Sequence, residues 1–130
     1  MSRVIKIITA IYIFIIVGIV FVANYKSTQY LLKFGGGIPF FDKISHFILM
    51  GLFSFLVNLV LKAKTFSVFY LKFLLGTAIV LFVVTIEEFS QIFVKGRAFD
   101  WGDLVADYLG IILFGCLAGS IYRKVLPEKE

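Results

Sequence analysis

Apolar runs alternate with short polar punctuation four times along this chain. They extend from Val4 to Ala23, from Ile44 to Leu61, from Phe69 to Ile86 with an extension toward Phe93, and from Leu104 to Ile121. A hydrocarbon core of about 30 Å takes roughly 20 apolar helical residues per crossing, and each run approaches that length. The runs are continuous rather than alternating, which predicts helices and argues against a membrane barrel of short, dyad-patterned strands. The expected fold is therefore all-α, an integral membrane four-helix bundle forming one domain over residues 1–130. The short link around Lys62 to Thr65 predicts an antiparallel hairpin of the second and third helices.

The polar punctuation is uneven. Six of the eight carboxylates, the single histidine and an arginine gather at the same ends of the runs: Asp42 with His46, Glu87 and Glu88 with Gln91, and Arg97, Asp100, Asp103 and Asp107. On the second helix Asp42 sits at the mouth and His46 one turn deeper, while Asp103 and Asp107 repeat that spacing on the fourth. Glu87 and Glu88 lie deeper than Gln91 on the third helix. Charges facing lipid are costly, whereas charges that meet around a shared cavity are satisfied, so the layer is expected to face inward. At 1.5 Å per residue its deeper tier lies about 6 Å below the boundary, a depth that suits a lipid headgroup.

Composition agrees with this picture, since 61% apolar and 16% charged residues fall outside the soluble globular class. Arg3 and Lys6 before an apolar run suggest a secretory signal, but the run from Ile7 to Ala23 is long and no small-x-small cleavage site follows, so a retained helix is expected. The net charge of +5 borders the apolar runs and enters no nucleic-acid module, so no nucleic-acid partner is expected. Cys116, without an intrachain partner, reads as a small apolar side chain.

The basic residues serve as topology markers. With four spans, Arg3, Lys6, Lys62, Lys64, Lys72, Arg123, Lys124 and Lys129 fall on one side, and Lys26, Lys33, Lys43, Lys95 and Arg97 on the other, eight against five. The positive-inside rule then places both termini in the cytoplasm and the polar layer on the outer side. Between the first two spans, Asn24 to Phe41 reads as an interfacial connector, with a lid as the rarer alternative. Gly110, Gly115 and Gly119 permit close helix contact within the bundle, and Gly115 with Gly119 also offers a surface for homo-oligomers through the fourth helix.

Each polar residue has a bland and a chemical reading. His46 either ties helices together through Asp42 or Asp103, or acts as an acid or base oriented by one of them. Glu87 and Glu88 point about 100° apart, so one serves the site and the other an interface. Arg97 either grips a phosphate or carboxylate or pins its loop to Asp100 or Asp103, and Asp100 doubles as a helix N-cap. Lys43 neutralises Asp42 or reaches a lipid phosphate. Trp101 reads as an interface anchor, and Ser45 and Ser90 are weak candidates for nucleophiles. A metal site on His46, Glu88 and Asp103 ranks last for this centre, because no two-His or cysteine-containing ligand spacing supports it, and no cofactor is expected. Proton-coupled transport needs polar groups through the whole bundle, and the inner halves offer little beyond Asn58 and Thr77.

The order Asp42-Lys43-Ile44-Ser45-His46-Phe47, Glu88-Phe89-Ser90-Gln91, Gly96-Arg97-Ala98-Phe99-Asp100-Trp101-Gly102-Asp103 and Asp107-Tyr108-Leu109-Gly110 resembles the VanZ-like family of small bacterial membrane proteins. The resemblance spans residues 42 to 119; the first helix matches only as a generic apolar span. Two positions depart from the family pattern: Asp107, where many members carry asparagine, and Glu87. The family is named for a protein that lowers susceptibility to the glycopeptide teicoplanin, and the resemblance implies an envelope-associated role in the bacterial cytoplasmic membrane. The expected site comprises His46, Asp42, Glu88 and Asp103 as catalytic groups and Lys43, Gln91, Arg97, Asp100 and Asp107 as contacts to a membrane lipid or lipid-linked envelope precursor. The alternative is a non-enzymatic interaction or envelope-stability protein in which the polar layer only locks the helices.

Overall fold

A computed structural model describes residues 2–24, 40–95, 97 and 99–125. The connector over 25–39, with Lys26 and Lys33, lies outside the described residues, as do Gly96, Ala98 and Lys129. The described chain forms α1 (Ser2–Asn24), α2 (Phe41–Val60), β1 (Thr65–Val68), β2 (Leu71–Leu74), α3 (Leu75–Ser90) and α4 (Trp101–Val125), with a 3-10 turn at Gln91–Phe93 after α3. All four helical segments, the third taken through Phe93, are long and apolar enough to cross a membrane. The chain is an all-α, multi-pass membrane bundle carrying one small β-hairpin.

That hairpin corrects the expected start of the third span. Residues 69–74 do not begin a helix: Thr65 to Val68 pairs antiparallel with Leu71 to Leu74. The local cause is the way α2 ends. Lys62 and Ala63 take left-handed backbone conformations, with φ of 54° and 50°, and the Ala63 N–H returns to the Asn58 carbonyl at 2.8 Å. This closure satisfies an orphan helix carbonyl and turns the chain back on itself. The link between α2 and α3 is therefore longer than the few residues anticipated.

α2 and α4 form the closest pair in the bundle, and glycines make the approach. A β-carbon on Gly110 would collide with the backbone of Phe47, and one on Gly51 would come within 2.6 Å of the Phe114 ring. Met50, Val80, Val84 and Ile111 form the buried core, joined by Ile16, Leu49, Phe53, Val57 and Leu81. Gly115 and Gly119 are also buried inside the chain, against Thr77 and Ser54 and against Leu74 respectively, so packing within one bundle accounts for both. Because lipid is as apolar as the side chains, such close contact and interhelical hydrogen bonds do the work that hydrophobic burial does in water.

Two such bonds lie in the lower half. Ser54 donates to the Ile111 carbonyl and Asn58 Nδ2 donates to Thr77 Oγ1, each at 2.9 Å, while Asn58 Nδ2 also bonds the Ser54 carbonyl within α2. Ser54 joins α2 to α4 and Asn58 joins α2 to α3. α1 lies outermost, touching the others through Tyr12, whose hydroxyl donates to the Leu49 carbonyl at 2.8 Å, and through Ile16.

Candidate functional site

At the end where α2 and α4 begin and α3 finishes, the three helices bring the polar residues together. The Asp42 and Asp103 carboxylates lie in the first turns of α2 and α4, where the positive ends of the helix dipoles favour them. Asp100 caps α4, accepting the Gly102 N–H at 2.7 Å, as an N-cap aspartate should.

His46 is the centre. Its Nδ1 lies 3.0 Å from Asp107 Oδ1 and 3.7 Å from Glu88 Oε1, while Nε2 lies 3.8 Å from Asp103 Oδ2 and 3.9 Å from Asp42 Oδ1. The imidazole thus stands between a deep carboxylate pair and a shallow one. Only the Asp107 contact has hydrogen-bond length, so the aspartate that orients the ring is Asp107, not Asp42 or Asp103 as the spacing suggested. The deep pair is sealed: Glu88 is 1% exposed and Asp107 is 0% exposed. Glu88 Oε2 and Asp107 Oδ2 have no hydrogen-bond partner among the described residues.

Lys43 joins the shallow tier to the start of α4. Its Nζ lies 3.0 Å from Asp100 Oδ2 and 2.9 Å from Asp103 Oδ1, rather than on Asp42 beside it in sequence. Gly102 makes this crossing feasible, because a β-carbon there would sit 2.6 Å from Lys43 Cε. The Lys43 ammonium and then the Gly102 N–H hold the Asp100 carboxyl below the ordinary aspartate range. Asp103 therefore shares one oxygen with Lys43 and turns the other toward His46.

Arg97 and Gln91 belong to a separate group. Arg97 Nη1 donates to Asn24 Oδ1 at 2.8 Å and lies 3.7 Å from Glu87 Oε1, not on Asp100 or Asp103. Gln91 Nε2 lies 3.1 Å from Glu87 Oε2, so it contacts Glu87 rather than the His46 centre. Of the adjacent glutamates, Glu88 faces His46 and Glu87 serves this outer interface, which ties α3 to the end of α1. Ser45 and Ser90 hydrogen-bond to carbonyls of their own helix, those of Phe41 and Glu87. Phe99 stacks on Phe89 and meets Trp101 edge-on, and this aromatic group stands at the same end of the bundle, with Trp101 exposed as a membrane-interface anchor would be.

The chain matches no protein-family model. No similarity to a curated protein or to a solved structure was found either.

What the geometry offers chemically is an imidazole fixed on one side by a buried carboxylate and open on the other toward the mouth. Asp107 favours the tautomer with hydrogen on Nδ1, which leaves Nε2 as the accessible base between Asp42 and Asp103. A separate open groove of about 960 Å³ lies toward the opposite end, between the hairpin, α3 and α4, with Lys72 and Arg123 among its lining. It shares no residue with the His46 centre.

Proposed function

We propose that this chain is a VanZ-like protein of the bacterial cytoplasmic membrane that binds, and chemically alters, a lipid-linked or cell-envelope substrate at the His46 end of its bundle. The observation that carries the reading is His46 itself, held at 3.0 Å by the buried Asp107 while its other nitrogen faces the shallow, partly open pair Asp42 and Asp103. That arrangement suits a positioned acid or base. Lys43 and the half-buried Arg97 guanidinium are the fixed positive charges described at the mouth, and an anionic headgroup would reach them by exchanging for their carboxylate partners Asp100, Asp103 and Glu87. The basic residues at the far end, Arg3, Lys6, Lys62, Lys64, Arg123 and Lys124, favour a cytoplasmic location for that end and for both termini, and an outer location for the site.

The test is mass spectrometry of lipids and lipid-linked precursors in a deletion strain carrying either the wild-type chain or His46→Ala at matched abundance. Accumulation of one species with His46→Ala, as in the empty deletion, supports catalysis and names the substrate. Identical profiles for the two complemented strains overturn it. Teicoplanin susceptibility of the same strains tests the link that the family name suggests.

A second reading is favoured by the depth of Glu88 and Asp107, which no headgroup reaches without the bundle opening. In it the polar layer only locks three helices, and His46→Ala lowers protein abundance without changing any lipid once abundance is restored.

A further inference from the structure

The geometry points to a divalent transition-metal site formed by His46 Nδ1, Glu88 and Asp107, one ligand from each of α2, α3 and α4. This deepens the reading above by giving the same centre a cation, and it reverses the low rank that ligand spacing alone gave to a metal here. The spacing argument looked for a second histidine or a cysteine on one element, whereas the three donors are assembled across three helices. The structure also replaces Asp103, the carboxylate expected from sequence, with the deeper Asp107.

Three observations converge. The donor atoms of His46, Glu88 and Asp107 all lie within 4.8 Å of one another. Nδ1 stands 3.0 Å from Asp107 Oδ1 and 3.7 Å from Glu88 Oε1, close to the separations of about 3.0–3.6 Å that neighbouring ligands show around an ion bound at about 2.1 Å. Independently, each buried carboxylate keeps one oxygen with no hydrogen-bond partner among the described residues, although their side chains are 1% and 0% exposed. A carboxylate taken out of water without a full set of partners is expensive, and a protonated imidazole balances only one of two, so the pair needs either a further proton or a cation. A dication taking the place of the proton between Nδ1 and Asp107 removes the imbalance.

The surroundings resemble those of metal-bound histidines generally. A ligating imidazole turns its other N–H toward carboxylates, and Nε2 here faces Asp103 and Asp42 at 3.8 and 3.9 Å. Ligation through Nδ1 also leaves the accessible nitrogen with its proton, so His46 remains able to act as an acid toward the mouth. One imidazole with two carboxylates favours zinc or manganese; an all-oxygen set would suit magnesium or calcium better. A site in which carboxylates hold a cation at the bundle end also explains how an acidic centre can receive an anionic headgroup.

The test uses the full chain purified in detergent, stripped with a chelator and titrated separately with zinc and manganese, with magnesium and calcium as comparisons. Bound metal is read by elemental analysis and calorimetry, and folding by far-UV circular dichroism. The expected result is one tightly held zinc or manganese per chain. Glu88→Gln and Asp107→Asn should each weaken it by about tenfold or more, while Lys72→Gln, at the opposite end of the bundle, should change it by less than about threefold. Electron spin-echo spectroscopy of the manganese form should show nitrogen coupling that His46→Gln removes. No tight site in the folded wild-type chain, or affinity unchanged by Glu88→Gln and Asp107→Asn in folded protein, overturns the proposal and leaves a shared proton between the carboxylates as the alternative. No lipid enters this experiment, so its failure is separable from failure of the lipid reading, which the strain profiles decide.

Discussion

The carbonyl oxygen of Phe47 fills the place that a side chain on Gly110 would need. These two residues neighbour the centre on both sides: Phe47 follows His46 on α2, and Gly110 lies one turn after Asp107 on α4. Their backbones therefore set the distance between α2 and α4 at which the imidazole reaches its aspartate at 3.0 Å.

Gly110→Ala is expected to destabilise the bundle by about 1–3 kcal/mol, the usual cost of an added carbon that the backbone cannot yield to. Unfolding in a graded anionic detergent series measures it. Wild-type stability in Gly110→Ala would mean that the two helices are free to separate and that this contact does not fix the site.

His46→Ala should destabilise folded protein by an amount on the order of 3 kcal/mol, because it strips the buried pair Glu88 and Asp107 of its compensating partner. Neutralising the pair in the same chain, with Glu88→Gln and Asp107→Asn, should return most of the loss. A mutant cycle with the same unfolding assay decides it, and simple additivity of the changes would show that the three groups do not act together.

How much of this centre was legible beforehand follows from helix geometry. The one-turn spacings Asp42 to His46 and Asp103 to Asp107 put each pair on one face, and the alternation of spans put all of them at one end. Sequence spacing does not give the rotation of one helix against another, so Asp107, and not a shallower aspartate, emerged as the hydrogen-bond partner only from the packing of α2 on α4. Gln91 lies three residues from Glu88 and four from Glu87, so spacing alone left its partner open. Its amide meets Glu87, one α-turn earlier on the same face. Arg97 found Asn24, a partner at the end of the span that carried the least pattern. The hairpin was hidden because its strands are as apolar as a helix start, with Lys72 as their only charge. Its turn is marked by neither glycine nor asparagine, but by Phe69 at φ 55°.

The acid side of the stability profile should depend on Asp100. Its carboxyl lies below the ordinary aspartate value, so the folded chain holds the ionised form more tightly than the unfolded one does. The resulting stabilisation is present above the unfolded value near about 3.9 and is lost as pH falls through the lowered folded value. Asp100→Asn keeps an N-cap acceptor but discards the charge. Thermal unfolding of both chains across this range should show a shallower acid decline in the variant, and superimposable declines would remove Asp100 from the account.

In the lower half, Asn58→Leu should cost about 0.6–1.7 kcal/mol, the range measured for hydrogen bonds between membrane helices, through loss of the bond to Thr77. The substitution leaves the His46 end untouched, so metal content and lipid profile should remain those of the wild type. A change in either would mean that the two polar groups communicate along α2.

Among the described residues, the carboxylates within 4 Å of His46 come from α2, α3 and α4, whereas α1 supplies none of them and reaches the rest through contacts that include Tyr12, Ile16 and Asn24. The first helix is thus exchangeable hardware. A chimera bearing a foreign apolar span that preserves those three positions together with Thr9, Phe21, Val22 and Ala23 should assemble with its centre intact, and lineages of this architecture should be free to rewrite the rest of that span while the other three change slowly.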